Sequence, residues 1–199
     1  MTKRIILGAL LSAVAMFFWG AFYWMVLSNV FNISKTIPSA AQTAVTEALQ
    51  PHLKISGVYF VPSPMEGEDK ADDPNSPWLQ RHRQGPVAQI FFQAGGIDPM
   101  AGATLGLGFM HTLLCTLFVA TLLSLLKKSM CCFWTRWAFV IGLGLFVGVW
   151  GELRQVIWMY HSFGYEFFNA CYDVSTWTIG GAILAAIVKC PTCVTSDAK

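Results

Sequence analysis

The chain has 199 residues, 55% of them hydrophobic and only 12% charged, with a mean hydropathy of +0.52. A water-soluble domain carries about 25% charge, so this chain has too few charges to coat a hydrated surface. Thirteen Lys+Arg against eleven Asp+Glu leave a net charge of +2. That excludes a disordered chain, an ordinary cytosolic enzyme and a nucleic-acid-binding module, and points to a membrane protein.

Residues 5–28 form the first apolar run, uncharged from Ile5 to Leu27. About 20 apolar helical residues suffice to cross a hydrocarbon core of roughly 30 Å. Lys3 and Arg4 precede this run, and Ala13-Val14-Ala15 has the small-residue character of a signal-peptide cleavage site. The apolar run continues unbroken from Met16 to Leu27, so it reads as an uncleaved anchor.

Residues 30–101 form an insert before the second span. Within it, residues 39–53 read as a short amphipathic helix. Pro38 precedes it, Ser39 with Gln42 makes a capping box, and Ala41, Val45, Ala48 and Leu49 share an apolar face. Residues 57–62 (GVYFVP) and 86–93 (PVAQIFFQ) have strand composition between Gly and Pro boundaries. The stretch 63–77 between them carries Glu66, Glu68, Asp69, Asp72 and Asp73 among prolines, and lacks the EF-hand ligand spacing. It reads as a solvated loop. The insert is too small for an independent domain and is expected to fold back on the helix ends as an α+β cap.

Three further spans follow, at about 102–126, 137–160 and 167–188. The second contains His111, the third Glu152, Arg154 and Gln155, and the fourth Asp173. Lys3 and Arg4 flank the first span, Lys127, Lys128 and Arg136 lie between the second and third, and Lys189 and Lys199 follow the fourth. By the positive-inside rule these segments are cytoplasmic, as are both termini, and residues 30–101 lie outside. Trp134 and Trp137 then mark the inner interface, and Trp24, Trp158 and Tyr165 the outer one. The expected fold is an all-α, four-transmembrane-helix bundle forming one membrane domain over residues 1–199. Its small extracytoplasmic cap is inserted between the first two helices.

The stretch IPSAAQTAVTEALQPHLKISGVYFVP, followed by Gly85-Pro86 and the remaining spans, resembles a bacterial family of uncharacterised four-helix inner-membrane proteins. The resemblance rests on Trp19-Gly20 in the first span and on Gly57, Val58, Tyr59 and Pro62. It also rests on Asp173 ahead of the small residues Gly180, Gly181 and Ala185. It implies the fold and a location in the bacterial inner membrane. It implies no mechanism, because the family has no established activity.

At 1.5 Å per residue, Arg154 and Asp173 lie roughly 9 Å from the outer ends of their spans, Glu152 about 12 Å and His111 about 13 Å. An ionised group near the bilayer centre costs about 2.5–3.5 kcal/mol, so each of these should face other helices and find a partner. Depth matches Arg154 to Asp173. Gly144, Gly148 and Glu152 recur every four residues, and Asp173, Trp177, Gly180 and Ala185 make a second such stripe; stripes of small residues let helices pack closely. An outward-opening polar pocket of Glu152, Arg154, Asp173 and His111 follows, either a register-fixing network or a proton or solute path.

No cofactor is expected. His111 is the only His deep in a span, so a His–His haem pair is disfavoured. Cys190-Pro-Thr-Cys193 with Cys131 and Cys132 has the count for a zinc site, but adjacent cysteines are awkward ligands. Reduced or lipid-modified juxtamembrane thiols fit better. Nucleophile-elbow, zinc-protease and phosphate-loop motifs are absent, so no enzyme is expected. The reading favoured is an accessory, assembly or structural membrane protein whose outer segment or helix faces contact another membrane protein or a second copy. The alternative is a small transporter or channel-like protein using the intramembrane charges.

Overall fold

A computed structural model describes residues 2–65, 73–126 and 129–189. The protein is mostly helical, and four of its helices are long and apolar enough to span a membrane. It divides into two compact units, Met1–Lys35 with Met100–Lys199, and Thr36–Pro99.

In the first unit, α1 (Thr2–Phe22) runs on through a π-helical turn, Tyr23–Leu27, into a last α turn, α2 (Ser28–Val30). The other long helices are α5 (Gly102–Leu125), α6 (Phe133–Trp158) and α7 (Phe163–Ile187). Each begins about where its apolar run begins, except that α6 and α7 both start four residues earlier than composition suggests. For α7 the added turn brings Glu166 into the helix. The outward faces carry large apolar side chains such as Phe18, Leu107, Phe118 and Phe146, all more than 60% exposed. Water would penalise such faces, whereas lipid tails are an indifferent solvent for them.

Between helices in lipid the hydrophobic drive is lost, so close packing and interhelical hydrogen bonds hold them together. On α1 the buried positions Gly8, Ser12, Met16 and Gly20 recur every four residues, with Ala9 and Ala13 beside them. That stripe lies against α7 on one side and α5 on the other, and α6 packs on the far side of α7. Ser12 Oγ donates to the Gly180 carbonyl (3.0 Å), Thr116 Oγ1 to the Ala9 carbonyl (3.0 Å), and Trp137 Nε1 to the Thr178 carbonyl (2.9 Å). These pairings make consecutive spanning helices antiparallel and put both helix termini Thr2 and Ile187 at the end where α5 connects to α6. There Ala9, Val119, Ala120, Leu123, Val140, Leu184 and Val188 form the core, with all four helices contributing. At the opposite end Tyr23, Trp24, Phe168 and Tyr172 form an aromatic cluster, and Tyr23 Oη donates to the Phe168 carbonyl (2.9 Å).

Arg136 is counted by the sequence among the interfacial bases, yet it is only 3% exposed. It sits in the first turn of α6. Its guanidinium donates to the carbonyls of Ala185 (3.0 Å), Met130 (3.0 Å) and Cys131 (2.5 Å). A cation there satisfies one carbonyl in the last turn of α7, that of Ala185, and opposes the helix dipole, while its other two bonds hold the connection ahead of α6. No apolar-periodicity signal separates such a cap from a solvated charge.

The second unit contains α3 (Ser39–Leu49), β1 (Gly57–Val61), α4 (Pro77–Gln84) and β2 (Ala88–Phe92). The strands pair antiparallel, with Tyr59 opposite Ile90 and Val58 opposite Phe91. Ser39 does not cap α3. It is the first helical residue, and Gln42 Nε2 instead donates back to the Ile37 carbonyl (2.9 Å). α4 was not legible as an element. It starts at Pro77, whose missing N–H is no loss at a first helical position, and stops at Gly85, which has φ +67°. Trp78 Nε1 ties α4 to the end of β1 through the Pro62 carbonyl (3.2 Å). Among the described residues of this unit no apolar side chain is buried, and Val58, Phe60 and Phe91 stand exposed on one face of the sheet.

Candidate functional site

Met159 and Tyr160 turn the chain between α6 and α7. Tyr160 has φ +58°, a left-handed conformation that a bulky side chain rarely adopts, and the His161 N–H bonds back to the Gln155 carbonyl (3.2 Å). This tight reversal fixes the register of the two helices. An ideal Cβ on Gly148 would stand 3.3 Å from Ala170, and one on Gly144 would stand 2.6 Å from Trp177 Cβ. One turn beyond Gly148, Glu152 and Glu166 lie equal distances in sequence from Met159, and both side chains face the same groove between the helices.

Glu166 is 3% exposed and takes two partners. His161 Nδ1 lies 2.5 Å from its Oε1, and Asn169 Nδ2 donates to its Oε2 (2.9 Å). Its place in the first turn of α7 also suits a carboxylate, since the N-terminal end of a helix carries partial positive charge.

Glu152 and Glu166 both line a groove of about 700 Å³ between α6 and α7. Its other walls are mainly apolar, including Leu145, Val149, Phe163, Phe167 and Ile179, with Trp19 of α1 reaching over from the side. Trp19 is held there by its Nε1, which donates to Ser175 Oγ (3.0 Å). Several lining residues, among them Leu145, Leu153 and Phe167, are exposed on the helix flank, so the groove opens sideways toward the lipid.

The expected polar cluster is distributed differently. Glu152 lines the groove. Asp173 is half-buried on α7 and does not line it. Arg154 is exposed, and the Arg154–Asp173 pair expected from depth does not form. Among the described residues the ion pair found is His161 with Glu166. His111, on α5, is exposed, and its Nε2 lies 3.6 Å from Cys115 Sγ one turn along the same helix. Glu166 and Asn169 are the residues the sequence reading missed. The signal that could have found Glu166 is its symmetry with Glu152 about the turn. Cys131 and Cys132 are exposed in the connection between α5 and α6, and Cys190 and Cys193 lie outside the described residues. The described residues contain no cluster of three metal-binding side chains.

The four apolar helices and the polar groups held between two of them define a multi-pass membrane protein. No protein-family model, curated protein or solved structure matches the chain, so its function has to be argued from its chemistry.

Proposed function

We propose that this is an integral protein of the bacterial inner membrane that acts by contact, as an accessory or assembly component. Its fold is read as a four-helix transmembrane bundle carrying an extracytoplasmic cap, residues 30–101, with both termini in the cytoplasm. The observation that carries the reading is the second unit, where Val58, Phe60 and Phe91 present apolar surface on one sheet face. Such surface on a segment outside the bilayer marks a contact with another protein or with membrane. Native mass spectrometry of the gently extracted protein tests this. The expected result is a stoichiometric complex with another membrane protein, lost in Phe91→Glu while the helix content stays unchanged. A lone monomer under the mildest extraction refutes it.

A second reading, a small transporter, is favoured by two carboxyls, Glu152 and Glu166, lining one groove with His161 against the second of them. It predicts that Glu152→Gln leaves the protein folded and abolishes a proton-coupled flux in proteoliposomes. The packed core at the Ala9–Leu184 level weighs against it, since it brings all four helices together there.

A further inference from the structure

We propose that the lateral groove between α6 and α7 is a binding site for an aminophospholipid, with the lipid ammonium at Glu152 and Glu166 and an acyl chain along the apolar wall. The proposal does not depend on the accessory reading, because it concerns a different surface of the chain.

Three properties of the groove select this occupant. The first is size, since about 700 Å³ falls within the roughly 300–1,000 Å³ of small-molecule sites. The second is the direction of its polarity. Glu166 lies three residues inside the start of α7 and Glu152 six residues before the end of α6. At 1.5 Å per residue these are roughly 5 and 9 Å from the helix ends. The acidic end is therefore near the membrane boundary, and the apolar wall runs back through Val149, Leu145 and Ile179 toward the middle of the spans. A lipid in that leaflet has the same gradient, with its head at the boundary and its chain inward. The third is charge. The lining residues include two carboxyls and no Lys or Arg, and Arg154 is exposed away from the groove. A primary ammonium supplies three N–H donors to the carboxyl oxygens of Glu152 and to those of Glu166, which His161 and Asn169 hold in place. A choline head offers the same charge without a donor, and a glycerol head offers donors without the charge.

The site makes a clear experimental demand. The full-length protein is delipidated in detergent and exposed to equimolar ethanolamine, choline and glycerol phospholipids with identical chains. Retained lipid is then read by native mass spectrometry. The ethanolamine lipid is expected to be retained at least fivefold over either competitor, and Glu152→Gln should bring that preference close to unity. Val149→Trp, which fills the groove without touching the carboxyls, should lower retention of all three. Circular dichroism on both variants guards against misfolding, and either variant alone suffices. Equal retention of the three lipids would overturn the proposal, as would a preference untouched by Glu152→Gln. A concentration-dependent dimer that excludes lipid from the groove would also overturn it, giving the groove to a second copy of the chain.

Discussion

Replacing Gly144 with Ala tests whether the α6–α7 interface is as tight as its geometry states. The added Cβ would stand 2.6 Å from Trp177 Cβ and 3.2 Å from Cδ1 and Cγ. Carbon atoms in contact prefer about 3.5–4.0 Å, so the helices must separate locally by about 1 Å. Trp177 Cβ is fixed to its backbone and cannot swing aside. Overpacking of this type costs about 1–3 kcal/mol, against about 0.5–1 kcal/mol gained by replacing a helical Gly with Ala. The net expectation is a loss of about 1–2 kcal/mol. On the scaling for chains of this length, about 2–4 °C per kcal/mol, the melting temperature falls by about 2–8 °C. Gly142→Ala is the matched control, because nothing lies within 4 Å of its added Cβ, and it should be neutral or slightly stabilising. Gly180→Ala should fall between them, since its clash is with the Met16 side chain, which can rotate away. The assay is thermal unfolding of the three variants in one detergent, followed by circular dichroism. Equal melting temperatures for Gly144→Ala and Gly142→Ala would refute the packing argument and the register that joins Glu152 to Glu166.

Arg136→Met should destabilise by about 3 kcal/mol, because it strips a charged donor from the buried Ala185 carbonyl and from the part-buried carbonyls of Met130 and Cys131. Arg136→Lys should recover only part of that, since an ammonium cannot reproduce the guanidinium fork, and chemical denaturation in micelles measures both. Tyr23→Phe removes the bond to the Phe168 carbonyl and should cost about 1 kcal/mol, seen as a modest drop in melting temperature. Glu152→Gln should leave stability nearly unchanged, because the amide keeps the size of a half-buried side chain that faces the groove. Glu166→Ala should cost clearly more, because it leaves His161 and Asn169 without their common partner, and the ranking is read from the same melts.

Length and periodicity already located the spans, because a bilayer sets a minimum apolar length and a helix sets the spacing of small residues. The stripe Gly144, Gly148, Glu152 shares one face as its spacing implies, the structure sets its glycines against α7, and the GVYFV and AQIFF segments pair as strands. What the sequence left open was which polar groups meet. Depth matched Arg154 to Asp173, but depth constrains a helix only along its axis. Rotation about the axis and register against the neighbour decide the partner, and both come from packing. The short reversal at Met159–Tyr160 sets that register and brings Glu166 to Glu152. Packing also leaves Arg154 facing outward and His111 on the flank of α5. Arg136 shows the same limit, for a basic residue at a helix end serves equally as a solvated charge or as a buried cap. The sequence by itself determined a four-span membrane chain with few polar groups inside it. Only the tertiary structure decided that two carboxyls, Glu152 and Glu166, meet at the mouth of one lateral groove. That pairing depends on the rotation of two helices about their own axes, which hydropathy does not encode.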